Sequence, residues 1–494
     1  MTTIMGSISN IVQEVITPKI DLLTLQVSPF FRHVFRDSRN VTTNPHIGRD
    51  WKVIRTFTTG LGGAVEFGSL AGGDMQSVGS ATGYQAYNQV ETWPGLPESV
   101  APAYVQRTIT LKKMKVNMHV PFTIMRAAKL GASIGDQLER TINATALNVA
   151  YAKSNAFLAS APTSGYAGVI GQFTSDSAGG SRTISSSGLQ VTLDTGSSIR
   201  RFCSGQRVDL FEEGNDTRLN SEPVFVDIVD GFGTSASPIT DGGGTLKLFH
   251  LGSNTTVCAA GTQYDIVPRN SGRETGTLNM PTSLSDIIVD SSNIADWGIS
   301  ASNYTLLKSM IRDLNNAVLT EGLLLKFIAH YVHARGTMYM FDDLWSTAGV
   351  WAGYFNNLDS AYTIERNGTV LKVRGGVAEE VTFNLYGNSF GCKADAMLPT
   401  NIVWGLKTSD QNWSMVVPPR LPSTGRSPVF DPGMEFLAPL AYGGKSIFMP
   451  YRKVGGADAG AFTDFLEAPA EHPYEIMPEV VCGMKLTGVK EFYG

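Results

Sequence analysis

Apolar positions near the start of the chain fall at helical spacing. Ile8, Ile11, Val12, Val15 and Ile16 share one face, and Pro18 closes the short helix they predict. A second apolar patch, Leu22, Leu23, Leu25, Phe30 and Phe31, runs into Arg32, Arg36 and Arg39. These arginines are candidates to face DNA or an acidic partner; a solvated face or ion pairs between subunits is the plainer alternative. The period then changes from helix to strand. Residues 51–57 (WKVIRTF) are β-branched and aromatic, which predicts a strand. Its expected partner runs from Val105 to Val120. There the apolar positions alternate as Val105, Ile109 and Leu111, then switch phase to Met114, Val116, Met118 and Val120. Side chains of a strand alternate faces, so a switch at Lys112 and Lys113 requires a bulge or a twist.

The clearest helix follows. Ile134, Leu138, Ile142, Ala146 and Val149 repeat along one face, Ser133 with Asp136 forms a capping pair, and Pro162 lies beyond the end. A helix from Ser133 to Ala159 is roughly 40 Å long at 1.5 Å per residue. Between residues 165 and 282 the texture turns to Ser, Thr and Gly, with short strands expected at 189–193, 207–212, 224–230, 245–249 and 264–267. Turn signals such as Glu213-Gly214-Asn215 separate them, which predicts a small antiparallel β-barrel or sandwich. Beyond Trp297 the pattern is mixed. A helix is expected over Leu306, Leu307, Met310, Ile311, Leu314 and Val318, a strand over 327–332 (FIAHYV), and a helix over 342–355. Strands are expected at 381–387, 401–407 and 413–418, and in the tail at 435–442, 446–452 and 480–489.

The stretch between the first two strands changes the picture most. Residues 56–106 hold no Lys or Arg, yet carry Glu66, Asp74, Glu91 and Glu98 among repeated glycines. A loop of that length inside a compact domain needs a reason. Phe67, Tyr84, Tyr87 and Trp93 supply aromatic anchors of the kind interfaces use, so ordering by a partner is the expectation. With Trp51 and Phe57 these form the candidate inter-subunit contacts.

Composition agrees with a self-covering surface and equally with a secreted Ser/Thr/Gly-rich β protein. The 494 residues are ample for a core without disulfides or metals. Charged residues make up only 17%, below the usual quarter. A net charge of -5 speaks against tight whole-chain binding of nucleic acid. No signal-peptide pattern opens the sequence and no run reaches 18 apolar residues, so cytoplasmic synthesis without a membrane span is expected. Cys203, Cys258, Cys392 and Cys482 lie far apart and read as reduced, packed thiols.

Two common catalytic patterns are absent from the sequence: there is no H-E-x-x-H and no P-loop. His330 and His333, on the expected strand, point to opposite faces and make a poor metal site. Asp342-Asp343 reads as a helix start, and Glu379-Glu380 as a solvated corner. Neither an enzyme nor a cofactor is expected.

The order of these parts resembles the major capsid proteins of tailed phages, the Hong Kong 97-type capsid fold. That resemblance implies an α+β protein with an N-terminal arm (1–50), an E-loop hairpin arm (51–121) and a long spine helix of the peripheral domain (122–164). An inserted β-rich domain (165–282), an axial α/β domain (283–430) and a return to the peripheral domain (431–494) follow. It implies self-assembly of hexamers and pentamers into an icosahedral shell around double-stranded DNA. Portal and scaffolding proteins would be its partners, with a decoration protein as a further one. The arm is too short to contain a large scaffolding segment, so a separate scaffolding protein or a removed segment is expected. The family's founding member cross-links through an E-loop lysine. The lysine-free stretch here implies non-covalent contacts instead. Two other classes fit the same texture: a tail or baseplate protein, and a secreted β-rich hydrolase with its carboxylates brought together only by folding.

Overall fold

The computed structural model describes residues 28–35, 41–43, 52–60, 103–121, 135–158, 168–175, 180–194, 197–230, 233–234, 237–238, 243–275, 279–290, 293–294, 297–300, 307–335, 340–361, 381–385, 388–409, 412–417, 435–436, 449–452, 462–478, 481 and 483–491. The first described element is helix α1 (Pro29–Val34). Ser28 caps it, accepting from the Phe31 amide at 3.3 Å, and Pro29 suits the first turn because its missing N–H is not needed there. Strand β1 (Val41–Thr43) follows, then β2 (Lys52–Gly60), which pairs antiparallel with β3 (Ala103–Thr110). Alternation gives this hairpin two unlike faces. Val53, Phe57 and Ile109 are buried on one, whereas Ile54 and Tyr104 are exposed on the other.

The expected return strand from Val105 to Val120 is two strands. Leu111, buried, interrupts the ladder, and β4 (Lys112–Pro121) starts another. The phase switch in the sequence therefore marks a change of partner: β3 belongs to the hairpin and β4 to a different sheet. Helix α2 (Gly135–Leu158) is 24 residues long, and its last turn carries Phe157 and Leu158 into the main core. Ser133, half of the expected cap, lies outside the described residues.

Between α2 and the next large sheet lies a six-stranded antiparallel sheet with its own core. Its order is Gly171–Thr174, Gln263–Pro268, Arg207–Glu212, Val224–Asp230, Thr245–Phe249, Leu189–Thr192. Val208, Leu210, Val226, Leu246, Leu248 and Ile266 are among its buried residues. Buried Arg201 ties this unit to the rest, donating to Ile170 O at 3.4 Å and to Leu398 O at 3.2 Å, while Asn155 of α2 donates to the Arg201 carbonyl.

The second half is a mixed sheet with helices. Its elements are β5 (Met310–Ala317), α3 (Glu321–Arg335), β6 (Asp343–Ser346), α4 (Ala348–Ala361), β7 (Val381–Leu385), β8 (Asn388–Ala394), β9 (Val403–Leu406), β10 (Trp413–Val417), β11 (Phe462–Pro478) and β12 (Met484–Val489). The sheet order is β5-β12-β9-β6-β8-β7, with β5/β12 and β6/β8 parallel. Both faces are covered. Leu344 and Val403 pack with Leu324, Ile328 and Tyr331 of α3 and with Val350, Trp351 and Tyr354 of α4. Their neighbours Trp345 and Trp404 point to the other core, beside Phe30 and Phe157. Coverage on both sides explains why β6 and β9 are buried throughout.

Three expectations are overturned here. Residues 310–317 form strand β5, not a helix. Between Asp313 and Ala317 the register with β12 slips, and Asn315 and Asn316 take φ of 52° and 61°. The extra residues shift the apolar phase and imitate a helical period. Residues 327–332 belong to helix α3, whose buried Leu324, Ile328 and Tyr331 recur every three or four positions; a short apolar run does not separate strand from helix. Residues 342–355 open as strand β6 and become helical only from Ala348, so Asp343 is a strand residue.

Candidate assembly surfaces

The N-terminal segment is inserted into its own subunit. Phe30 sits edge-on to Trp345 at 5.1 Å and to Trp413 at 6.2 Å, and lies 5.9 Å from Phe157. Edge-to-face rings of this kind add to the gain from apolar burial. The entry of α1 is held by Asp395, whose carboxylate accepts from Ser28 Oγ (2.5 Å), the Phe30 amide (2.9 Å) and the Met397 amide (2.8 Å). Burial pushes this carboxyl above its ordinary range, against the pull of those donors. Beyond α1, β1 adds in parallel to β10, with Val41 opposite Met415. Strand β10 pairs in turn with the end of β11, and the rest of β11 runs along β4. One C-terminal strand thus joins the N-terminal segment to the descent from the hairpin.

A polar cluster closes the other side of α1. His33 Nε2 and Lys393 Nζ each lie 2.9 Å from Asp343 Oδ2, and Thr408 Oγ1 donates to the same oxygen. Asp342 is occupied beside it, accepting from the Thr408 and Ser409 amides at 2.6 Å. Burial alone raises the Asp343 carboxyl, yet hydrogen bonds from His33, Thr408 and Lys393 and the lysine charge outweigh it, so its pKa lies below the ordinary value. For a carboxyl lowered on folding, the contribution to stability is complete above the unfolded pKa and disappears as pH falls through the folded one. Asp343→Asn is therefore expected to flatten the acid limb of a stability–pH curve, measured by denaturant unfolding from pH 7 to 3.

Of the residues singled out in sequence, Trp51, Phe67, Tyr84, Tyr87, Trp93, Arg36 and Arg39 lie outside the described residues, as do residues 8–16 and Glu379-Glu380. Arg32 is exposed on α1. Phe57 is not an exposed anchor. It is buried in its own subunit and stacked on Trp297 at 5.7 Å, because the apolar face of β2 turns inward. The anchoring residues Ser28, His33, Asp343, Lys393, Asp395 and Thr408 form no sequence motif, since only folding brings them together.

His330 and His333 lie one turn apart on helix α3, on the same side and exposed, rather than on opposite faces of a strand. Among the described residues no three His, Cys, Asp or Glu gather as a metal site. Burial pushes the Cys203 thiol to about 11 and the Cys258 thiol to about 12, and raises that of Cys392 further, so none of these is a thiolate nucleophile at neutral pH. No described helix is long and apolar enough to cross a membrane.

No protein-family model matches the chain, and no curated protein matches it. Among solved structures, the cyanophage A-1(L) capsid asymmetric unit is similar at a TM-score of 0.38 and 9% identity, over 92% of this chain and 91% of that one. Structures from Mycobacterium phage Patience and Mycobacterium phage Ogopogo each give a TM-score of 0.31 at 8% identity. They cover 99% and 91% of this chain, and 89% and 91% of their own. At that overlap the likeness assigns no function.

Proposed function

We propose that the chain is a shell-forming structural subunit, the major capsid protein of a tailed phage, built on the Hong Kong 97-type plan and held by non-covalent contacts between copies. The observation that carries this reading is the hairpin. Gly60 and Ala103 are ladder partners, so residues 61–102 leave and return at one end of a pair whose base is packed into the body. A long segment so rooted, rich in glycine and aromatics and free of Lys and Arg, suits a clasp on neighbouring copies. The order of the remaining elements supports the same plan: an inserted N-terminal segment, a long helix, a β unit with its own core, and a helix-covered sheet closed by C-terminal strands. In this reading the hairpin is the E-loop, α2 the spine, and the β unit an insertion before the axial domain. Hexamers and pentamers of the chain enclose double-stranded DNA without reading its sequence, with portal, scaffolding and decoration proteins as further partners. Obligate interfaces of such a shell bury on the order of 2,000–5,000 Å².

Deleting residues 62–90 is expected to leave a folded subunit that forms no closed particles. Electron microscopy of the expressed protein decides this, and normal shells from the deletion variant would overturn the clasp.

A further inference from the structure

The Lys- and Arg-free stretch of residues 56–106 is bounded by Arg55 and Arg107, and these two arginines are directly opposite each other in the β2–β3 ladder. Opposite residues of an antiparallel pair share a face, so their guanidinium groups stand on the same side as the rungs Val53–Ile109 and Phe57–Val105. Like charges directly opposite are destabilising in such a pair. Among the described residues no carboxylate relieves them. Among the described residues, Arg107 donates to the backbone carbonyls of Gly298 at 3.3 Å and of Gln106 at 3.4 Å, and half-buried Arg55 makes no ion pair. An isolated subunit gains nothing electrostatic from this rung. An incoming anion would turn the repulsion into attraction.

We infer that the Arg55–Arg107 rung is the receptor for the acidic arm, residues 61–102, of a second copy of this chain. This rests on the shell reading above and names the contact through which the clasp acts. Charge complementarity carries it. The arm holds Glu66, Asp74, Glu91 and Glu98 with no cation to neutralise them. A copy's own arm leaves from the Gly60–Ala103 end, about 17 Å from the rung at roughly 3.4 Å per residue, and the shell reading sends it outward to a neighbour. A chain of net charge -5 is repelled by nucleic acid, which favours a carboxylate partner over phosphate. The contact is exposed enough to weaken as salt screens it.

A charge swap tests this. One variant carries Arg55→Glu with Arg107→Glu, and a second carries Glu66→Lys, Asp74→Lys, Glu91→Lys and Glu98→Lys; each is expected to abolish closed particles. Combining all six changes in one chain is expected to restore them, because every receptor then meets a complementary arm of the neighbouring copy. Arg55→Gln controls for folding: the melting temperature of its unassembled subunit should hold or rise, while the concentration needed for assembly rises at least about tenfold. Particles from the Arg55→Glu/Arg107→Glu variant at wild-type yield would overturn the pairing. So would a six-change chain that folds with the wild-type melting temperature yet forms no particles. Lost retention of duplex DNA with assembly intact would assign the rung to nucleic acid instead. A wild-type chain that never associates overturns the shell reading and the pairing together.

Discussion

Replacing Asp395 with alanine is expected to lower the unfolding free energy by about 3–5 kcal/mol and to release the N-terminal segment. The magnitude follows from what the carboxylate does. It accepts from Ser28 Oγ and from the amides of Phe30 and Met397, all buried. Alanine leaves these donors without acceptors, and each unsatisfied buried group costs about 1–3 kcal/mol. Ser28 also caps α1, so loss of its anchor loosens the turn that carries Phe30 and Phe31 into the core. The variant should then expose Arg32 to trypsin far faster than the wild type, since cleavage inside a helix needs local opening. Denaturant unfolding gives the first quantity and a digestion time course the second. Unchanged stability would mean that α1 is held by its aromatic rings alone.

The same segment shows where sequence reading stops. Phe30 and Phe31 stand out as apolar, but nothing in their spacing points to Trp345, Trp413 or Phe157, which are separated from them by more than a hundred positions. Asp395 has no patterned neighbour at all. Asp342 and Asp343 are visible as a pair and suggest a helix start, because an acidic pair before an apolar run resembles one. Tertiary packing makes Asp343 a strand residue that collects His33, Lys393 and Thr408. A single sequence carries no signal for such a cluster.

Elements whose side chains meet one boundary are the legible ones. Strands at Arg207–Glu212, Val224–Asp230 and Thr245–Phe249 lie where alternation and turn residues place them. Helix α2 ends within one residue of its expected end. Misreadings fall where the period is broken or hidden. The slipped register of β5 imitates a helix, and a six-residue apolar run conceals α3. Strand β11 escapes the pattern although it spans 17 residues, because Pro469 and Pro473 sit within it and proline argues against an interior strand. Here the ladder to β4 nonetheless passes through both, with Pro469 opposite Asn117 and Pro473 opposite Lys113. The structural weight of β11 comes from its ladders with β4, β10 and the short strands Glu435–Phe436 and Met449–Arg452, and not from its own pattern.

The β unit offers a second large and separable effect. Arg273→Met is expected to destabilise it by about 3–5 kcal/mol, the cost of leaving a buried charge without its partner. Arg273 Nη1 lies 2.6 Å from Asp265 Oδ2, with both side chains buried, and Gln172 Nε2 donates to the other Asp265 oxygen at 2.6 Å. The guanidinium also stacks 4.7 Å over Phe211 and donates to Asn215 O at 2.9 Å. Methionine keeps much of the packing against Phe211 but supplies neither charge nor donors, so Asp265 keeps only Gln172 of these partners. Because this sheet has a core distinct from those around β6 and β9, the loss should appear as an earlier, partial unfolding transition. Hydrogen exchange separates the outcomes: protection should fall first across Gly171–Thr174, Arg207–Glu212 and Gln263–Pro268, while amides of β6 and β9 stay protected. Changing Asp265 to leucine in the same chain removes the uncompensated charge and is expected to recover part of the loss. If Arg273→Met instead lowers protection equally in both regions, the two cores unfold as one cooperative unit.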